Sequence, residues 1–91
     1  MDLNFTKTSE GWVSTFQVEA DFNLHIEMPE LGVIKGYQRG CEEGEYDEFL
    51  HINYYDSKTI DYDITALVYP KWIKIVTKQE PTKAVVTSSE E

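Results

Sequence analysis

The chain has 91 residues, 41% hydrophobic and 13% aromatic, with eight basic against seventeen acidic side chains and a formal net charge of −9. That length fits one domain, and a domain this small buries only roughly 60–70% of the surface its unfolded chain exposes, so a deep catalytic cleft would compete with the core for residues. The charge repels phosphate backbones and anionic membranes, no apolar run is long enough to span a bilayer, and no charged-then-apolar leader stands at Met1, so neither nucleic acid nor a membrane is an expected partner.

In chain order, Leu3 to Lys7 reads as a short first strand and Ser9-Glu10-Gly11 as the turn that follows it. From Trp12 to Met28 nearly every even position is apolar (Trp12, Phe16, Val18, Ala20, Phe22, Leu24, Ile26, Met28), while polar residues such as Thr15, Gln17, Glu19, Asp21, Asn23, His25 and Glu27 fill the odd ones. That period of two makes one continuous apolar face on a pleated strand, whereas on a helix the same residues would be spread around the circumference. A straight strand of this length would run on the order of 55 Å, against a radius of gyration of roughly 12 Å for such a domain. The run must therefore bend, and Ala20 between Glu19 and Asp21 is the place where a bulge or corner would pass the chain from one sheet to another.

Met28-Pro29-Glu30-Leu31-Gly32 reads as a reversal, because proline cannot donate to a ladder and glycine frees a tight turn. Val33 to Arg39 is then expected to pair with the preceding strand as a hairpin. Gly40 to Glu48 is polar and self-repelling and reads as a surface loop. Phe49 to Tyr55 resumes strand character, Asp56-Ser57-Lys58 makes a turn, and Ile60, Tyr62, Ile64, Ala66 and Val68 alternate with Asp61, Asp63 and Thr65. Pro70 interrupts this run, and Trp72 to Thr77 follows as a strand rich in β-branched residues. Pro81 separates a last short apolar piece, Ala84 to Thr87, from a Ser-Ser-Glu-Glu end.

Turn signals every eight to twelve residues give an all-β fold: a small antiparallel β-sandwich, jelly-roll-like, of seven to eight short strands with little or no helix, and a small barrel as the second choice. The domain is expected over residues 1–80, with 81–91 as a C-terminal extension, mobile at its end. Its core should lean on Trp12, Phe16, Phe22, Tyr37, Tyr54, Tyr62 and Trp72.

Candidate chemistry is sparse. His25 and His51 occupy polar phases of two strands; if those strands were neighbours the imidazoles could approach and Glu27 could complete a metal site, but no ligand motif accompanies them, and solvent-facing or hydrogen-bonded histidines are the simpler reading. Glu42, Glu43, Glu45, Asp47 and Glu48 lack the order of a calcium loop and read as a solvated acidic loop. Asp61 and Asp63 lie about 7 Å apart by strand geometry, a spacing that paired glycosidase carboxylates approach, yet two acids on a wet strand face are the commoner case. The single cysteine, Cys41, cannot form an internal disulfide, which fits synthesis in a reducing cytoplasm, and its acidic neighbours would blunt a thiolate. No nucleophile elbow or phosphate loop is present, so the expectation is a non-enzyme with no cofactor and no metal.

The aromatics carry the remaining signal. Trp12, Tyr46, Tyr54, Tyr55, Tyr69 and Trp72 could form a sugar-stacking platform, or serve as core and subunit contacts. Tyr54-Tyr55 and Tyr69-Pro70-Lys71-Trp72 break the alternation and put aromatics on both faces, so Tyr54, Tyr55, Tyr69 and Trp72 are the candidate interface residues.

At Gly11-Trp12-Val13, the run from Phe16 to Glu27, Gly36-Tyr37-Gln38-Arg39, and the run from Ile60 to Val76, the chain resembles the small trimeric head-fibre or head-decoration proteins of crAss-like tailed bacteriophages. The resemblance extends from about Gly11 to Val86 and has no catalytic residues to transfer. It implies a virion structural protein, made in the host cytoplasm and assembled as a homotrimer on the outer capsid surface, with itself and the capsid proteins as partners. The competing expectation is a carbohydrate-binding β-sandwich that uses exposed Trp or Tyr side chains.

Overall fold

The two alternating runs set the architecture. The computed structural model describes residues 1–30, 33–39, 47–53, 58–64 and 71–88, and these form eight strands: β1 (Thr6–Thr8), β2 (Gly11–Val18), β3 (Phe22–Glu27), β4 (Val33–Arg39), β5 (Asp47–Asn53), β6 (Thr59–Ile64), β7 (Lys71–Thr77) and β8 (Lys83–Ser88). One sheet has the order β1-β2-β7-β4-β5 and the other β6-β3-β8, and every pairing is antiparallel. No helix occurs among the described residues.

The long run breaks where its length requires. β2 ends at Val18 in the five-stranded sheet, and β3 begins at Phe22 in the three-stranded one, so Glu19 to Asp21 form the corner between sheets. The even phase survives that corner: Ser14, Phe16 and Val18 on one side and Phe22, Leu24, Ile26 and Met28 on the other are all buried. Phe16 and Phe22 then meet edge to face across the sandwich, with ring centroids 6.1 Å apart and planes at 87°, the arrangement in which the positive edge of one ring faces the negative face of the other. Ile34, Ile60, Ile64, Ile73, Ile75, Ala84 and Val86 complete the core.

The pairings are nested. β4 pairs with β5, β3 with β6 and β2 with β7, as in one long folded hairpin, while β3 with β8 and β4 with β7 roll that hairpin up. The outermost level is supplied by the N-terminal residues. Met1 N donates to Val86 O and Val86 N to Met1 O, both at 2.8 Å, Leu3 N donates to Ala84 O at 2.9 Å, and Asp2 bridges Val85. This winding is that of a jelly roll, as expected.

Several local expectations change. Leu3 belongs to the contact with β8, and the first strand of the five-stranded sheet is Thr6–Thr8. β4 does not form a hairpin with β3: both sides of β3 are taken by β6 and β8, so the reversal after Met28 changes sheet and delivers β4 between β7 and β5. β5 starts at Asp47, which moves Asp47 and Glu48 from loop to strand, and it is described as far as Asn53. β8 is an integral strand with Ala84 and Val86 buried, so the sandwich runs to Ser88 and does not stop at residue 80. Cys41, Glu42, Glu43, Glu45, Tyr46, Tyr54, Tyr55, Thr65, Ala66, Val68, Tyr69, Pro70 and residues 89–91 lie outside the described residues, as does the side chain of Tyr37.

Among the expected core aromatics, Phe16 and Phe22 are buried, Trp12 and Trp72 are half-buried, and Tyr62 is 44% exposed. Tyr62 stands in the inward phase, opposite Leu24, but β6 is an edge strand, and a long ring with a polar tip there can reach past the sheet margin into water. The turn into β2 depends on Gly11. Its φ of 124° is unfavourable for any side chain, and a Cβ built there would lie 2.6 Å from the Thr77 carbonyl oxygen.

Candidate interaction site

The odd phase of β3 and β6 faces outward from the three-stranded sheet, and the register sets Asn23 opposite Asp63, His25 opposite Asp61 and Glu27 opposite Thr59. Asn23 Nδ2 donates to Asp61 Oδ1 at 2.6 Å and to Asp63 Oδ1 at 2.9 Å. One amide group with two N–H donors thus orients two carboxylates on the neighbouring strand, and both bonds gain from the acceptor's charge. His25 Nδ1 lies 3.6 Å from Asp61 Oδ2, and its Nε2 lies 3.8 Å from Glu27 Oε2. These distances exceed hydrogen-bond range, so the imidazole is an ion-pair partner of the acids only when protonated.

The face is wet: the side chains of His25, Glu27 and Asp61 are 28%, 43% and 63% exposed. Water and salt screen charges in such a setting. Among the described residues no group of three or more His, Cys, Asp or Glu side chains is placed to hold a metal ion. The two histidines are not on neighbouring strands, since β3 is the centre of one sheet and β5 the edge of the other, where His51 pairs with Lys35.

The outer face of the five-stranded sheet differs in kind. Because Ile73, Ile75 and Thr77 of β7 point inward, Trp72, Lys74 and Val76 point outward, opposite Gln17, Thr15 and Val13 of β2. Trp72, Val76 and Val13 are half-buried, and Lys74 Nζ is held by Glu10 at 2.8 and 3.0 Å. Of the four aromatic interface candidates, Trp72 is therefore placed on an outer sheet face with two valines on the same face, and Tyr54, Tyr55 and Tyr69 fall outside the described residues. At the β2–β3 corner a cleft of about 460 Å³ opens between Val18, Phe22, Val86 and Glu19.

Sequence reading did not single out Asn23. Its role depends on the β3–β6 register, which no local pattern encodes; the one available signal was an amide in the polar phase of a strand whose other polar residues are His25 and Glu27. Comparison of the chain with known protein families, curated proteins and solved structures finds no match.

Proposed function

We propose that the chain is a non-enzymatic virion structural protein: a homotrimeric head-fibre or capsid-decoration protein on the outer surface of a tailed-phage head. The jelly-roll winding carries the reading, because this architecture recurs in viral capsid domains. A second observation supports it: the two longest stretches that resemble phage head proteins, Phe16 to Glu27 and Ile60 to Val76, pair with each other as β2 with β7 and β3 with β6. Among the described residues one pairing lies in each sheet. The half-buried Trp72, Val13 and Val76 provide aromatic and aliphatic surface of the type found at subunit contacts.

Light scattering on the purified protein, followed by cosedimentation with phage heads, tests this. A trimer that sediments with heads supports it; a strict monomer at high micromolar concentration that stays in the supernatant rejects it. A carbohydrate-binding role is the second reading, favoured by the exposed Tyr62 ring and by the use of jelly rolls in lectins. Binding on a glycan array that is lost in Tyr62→Ala would put that reading first.

A further inference from the structure

The two edges of the three-stranded sheet are finished differently. Met28 N donates to Lys58 O at 2.7 Å in line with the β3–β6 register, and since hydrogen-bonded and non-hydrogen-bonded pairs alternate along an antiparallel ladder, the even residues of β6 bond to β3. The backbone N–H and C=O groups of Asp61 and Asp63 consequently point away from the sheet, along an edge that no described strand covers. On β8 the equivalent outward row, Ala84 and Val86, is taken up by Leu3 and Met1.

We propose that the β6 edge at Asp61 and Asp63, which no described strand covers, is a docking site for an extended segment of a partner protein with Lys or Arg at alternate positions and an apolar residue between them. Three features define that chemistry. The backbone row at Asp61 and Asp63 offers ladder bonds to an added strand. The carboxylates of the same two residues are held on the outer face by Asn23, so residues opposite them must be cationic. Tyr62, between them in the inward phase and 44% exposed, offers ring area to the apolar residue. Antiparallel self-pairing of two β6 edges centred on Tyr62 would bring the Asp61 and Asp63 carboxylates of the two copies against one another, so the acids that recruit a basic strand disfavour a second copy in that register. The site is independent of the phage-head reading.

The test is an NMR titration of the ¹⁵N-labelled full chain with an acetylated, amidated peptide Lys-Val-Lys-Val-Lys. Two controls accompany it: the Glu-for-Lys peptide, and the lysine peptide N-methylated at its lysines, whose amides would face Asp61 and Asp63. The expected result is that the Asp61, Tyr62 and Asp63 amide signals shift with the lysine peptide and that both controls bind at least about tenfold more weakly. Asp61→Asn/Asp63→Asn, which keeps shape and removes charge, should weaken the lysine peptide about three- to tenfold, and Asp61→Lys/Asp63→Lys should reverse the preference between the Lys and Glu peptides. Absence of shifts on β6 at millimolar lysine peptide, or equal binding of the N-methylated or Glu peptide, overturns the proposal.

Discussion

The two outer faces of this sandwich follow the same period-two rule and reach opposite ends. On the three-stranded sheet the outward residues of β3 and β6 are Asn23, His25, Glu27, Thr59, Asp61 and Asp63, a fully polar set in which Asn23 joins Asp61 and Asp63. On the five-stranded sheet the outward row includes Trp72, Val13 and Val76, so β2 and β7 carry apolar side chains on both faces. Alternation thus says which residues are inside, and the residues that depart from it mark the outer face that carries apolar area. On the three-stranded face the half-buried apolar residue is Val85 of β8, opposite His25, against Trp72, Val13 and Val76 on the other.

The largest perturbation removes the layer both sheets share. Phe22→Ala takes away a ring that is 1% exposed and stacked edge-on against Phe16, and should cost about 3–5 kcal/mol, enough to unfold a marginal domain, as read by urea denaturation. Gly11→Ala acts on the five-stranded sheet alone. With its φ of 124° and a Cβ directed at the Thr77 carbonyl, the substitution should destabilise by about 1–3 kcal/mol, seen as a lower Tm without loss of strand signal in circular dichroism.

Trp72→Ala probes whether the five-stranded face is covered in an assembly. Association measured by light scattering should weaken by about 2 kcal/mol while monomer stability falls less; the reverse ranking would assign Trp72 to folding. Asn23→Ala tests the wet face. Freed of their shared donor, Asp61 and Asp63 should cost the fold only about 0.5–1 kcal/mol, a difference visible in denaturant midpoints at low salt and reduced at high salt. A larger loss would mean that the acidic face is more structural than its exposure suggests.

Much of the fold was legible because burial has a phase. The even residues from Ser14 to Met28, apart from Ala20 at the corner, keep it through a change of sheet, and the corner at Glu19 to Asp21 follows from chain length against domain size. Pairing was less legible. The turn rule that makes neighbours of consecutive strands failed at β4, because the sides of β3 were claimed by β6 and β8, residues far along the chain. Tyr62 was misread for a related reason: its phase is inward, but whether an inward residue is covered depends on its distance from the sheet edge, which pattern does not carry. Of the candidate site, Asp61 and Asp63 were visible as acids on one face, while the donor that organises them became visible only with the register.

The nesting of strand pairs also dictates an order of events in folding. β3, with Phe22, Leu24 and Ile26, finds its partners only in β6 and β8, and the contact between Met1 and Val86 joins residues 85 positions apart. Few strand pairings here are local, so loop closure must be achieved before most of them repay it, and the domain should fold in milliseconds to seconds, well behind helical domains of equal size. During synthesis β3 stays unpaired until β6 has emerged, and its second side stays open until β8 follows. In that interval Glu19, Asp21 and Glu27 flank its apolar residues with charge, the arrangement that opposes aggregation of an exposed strand.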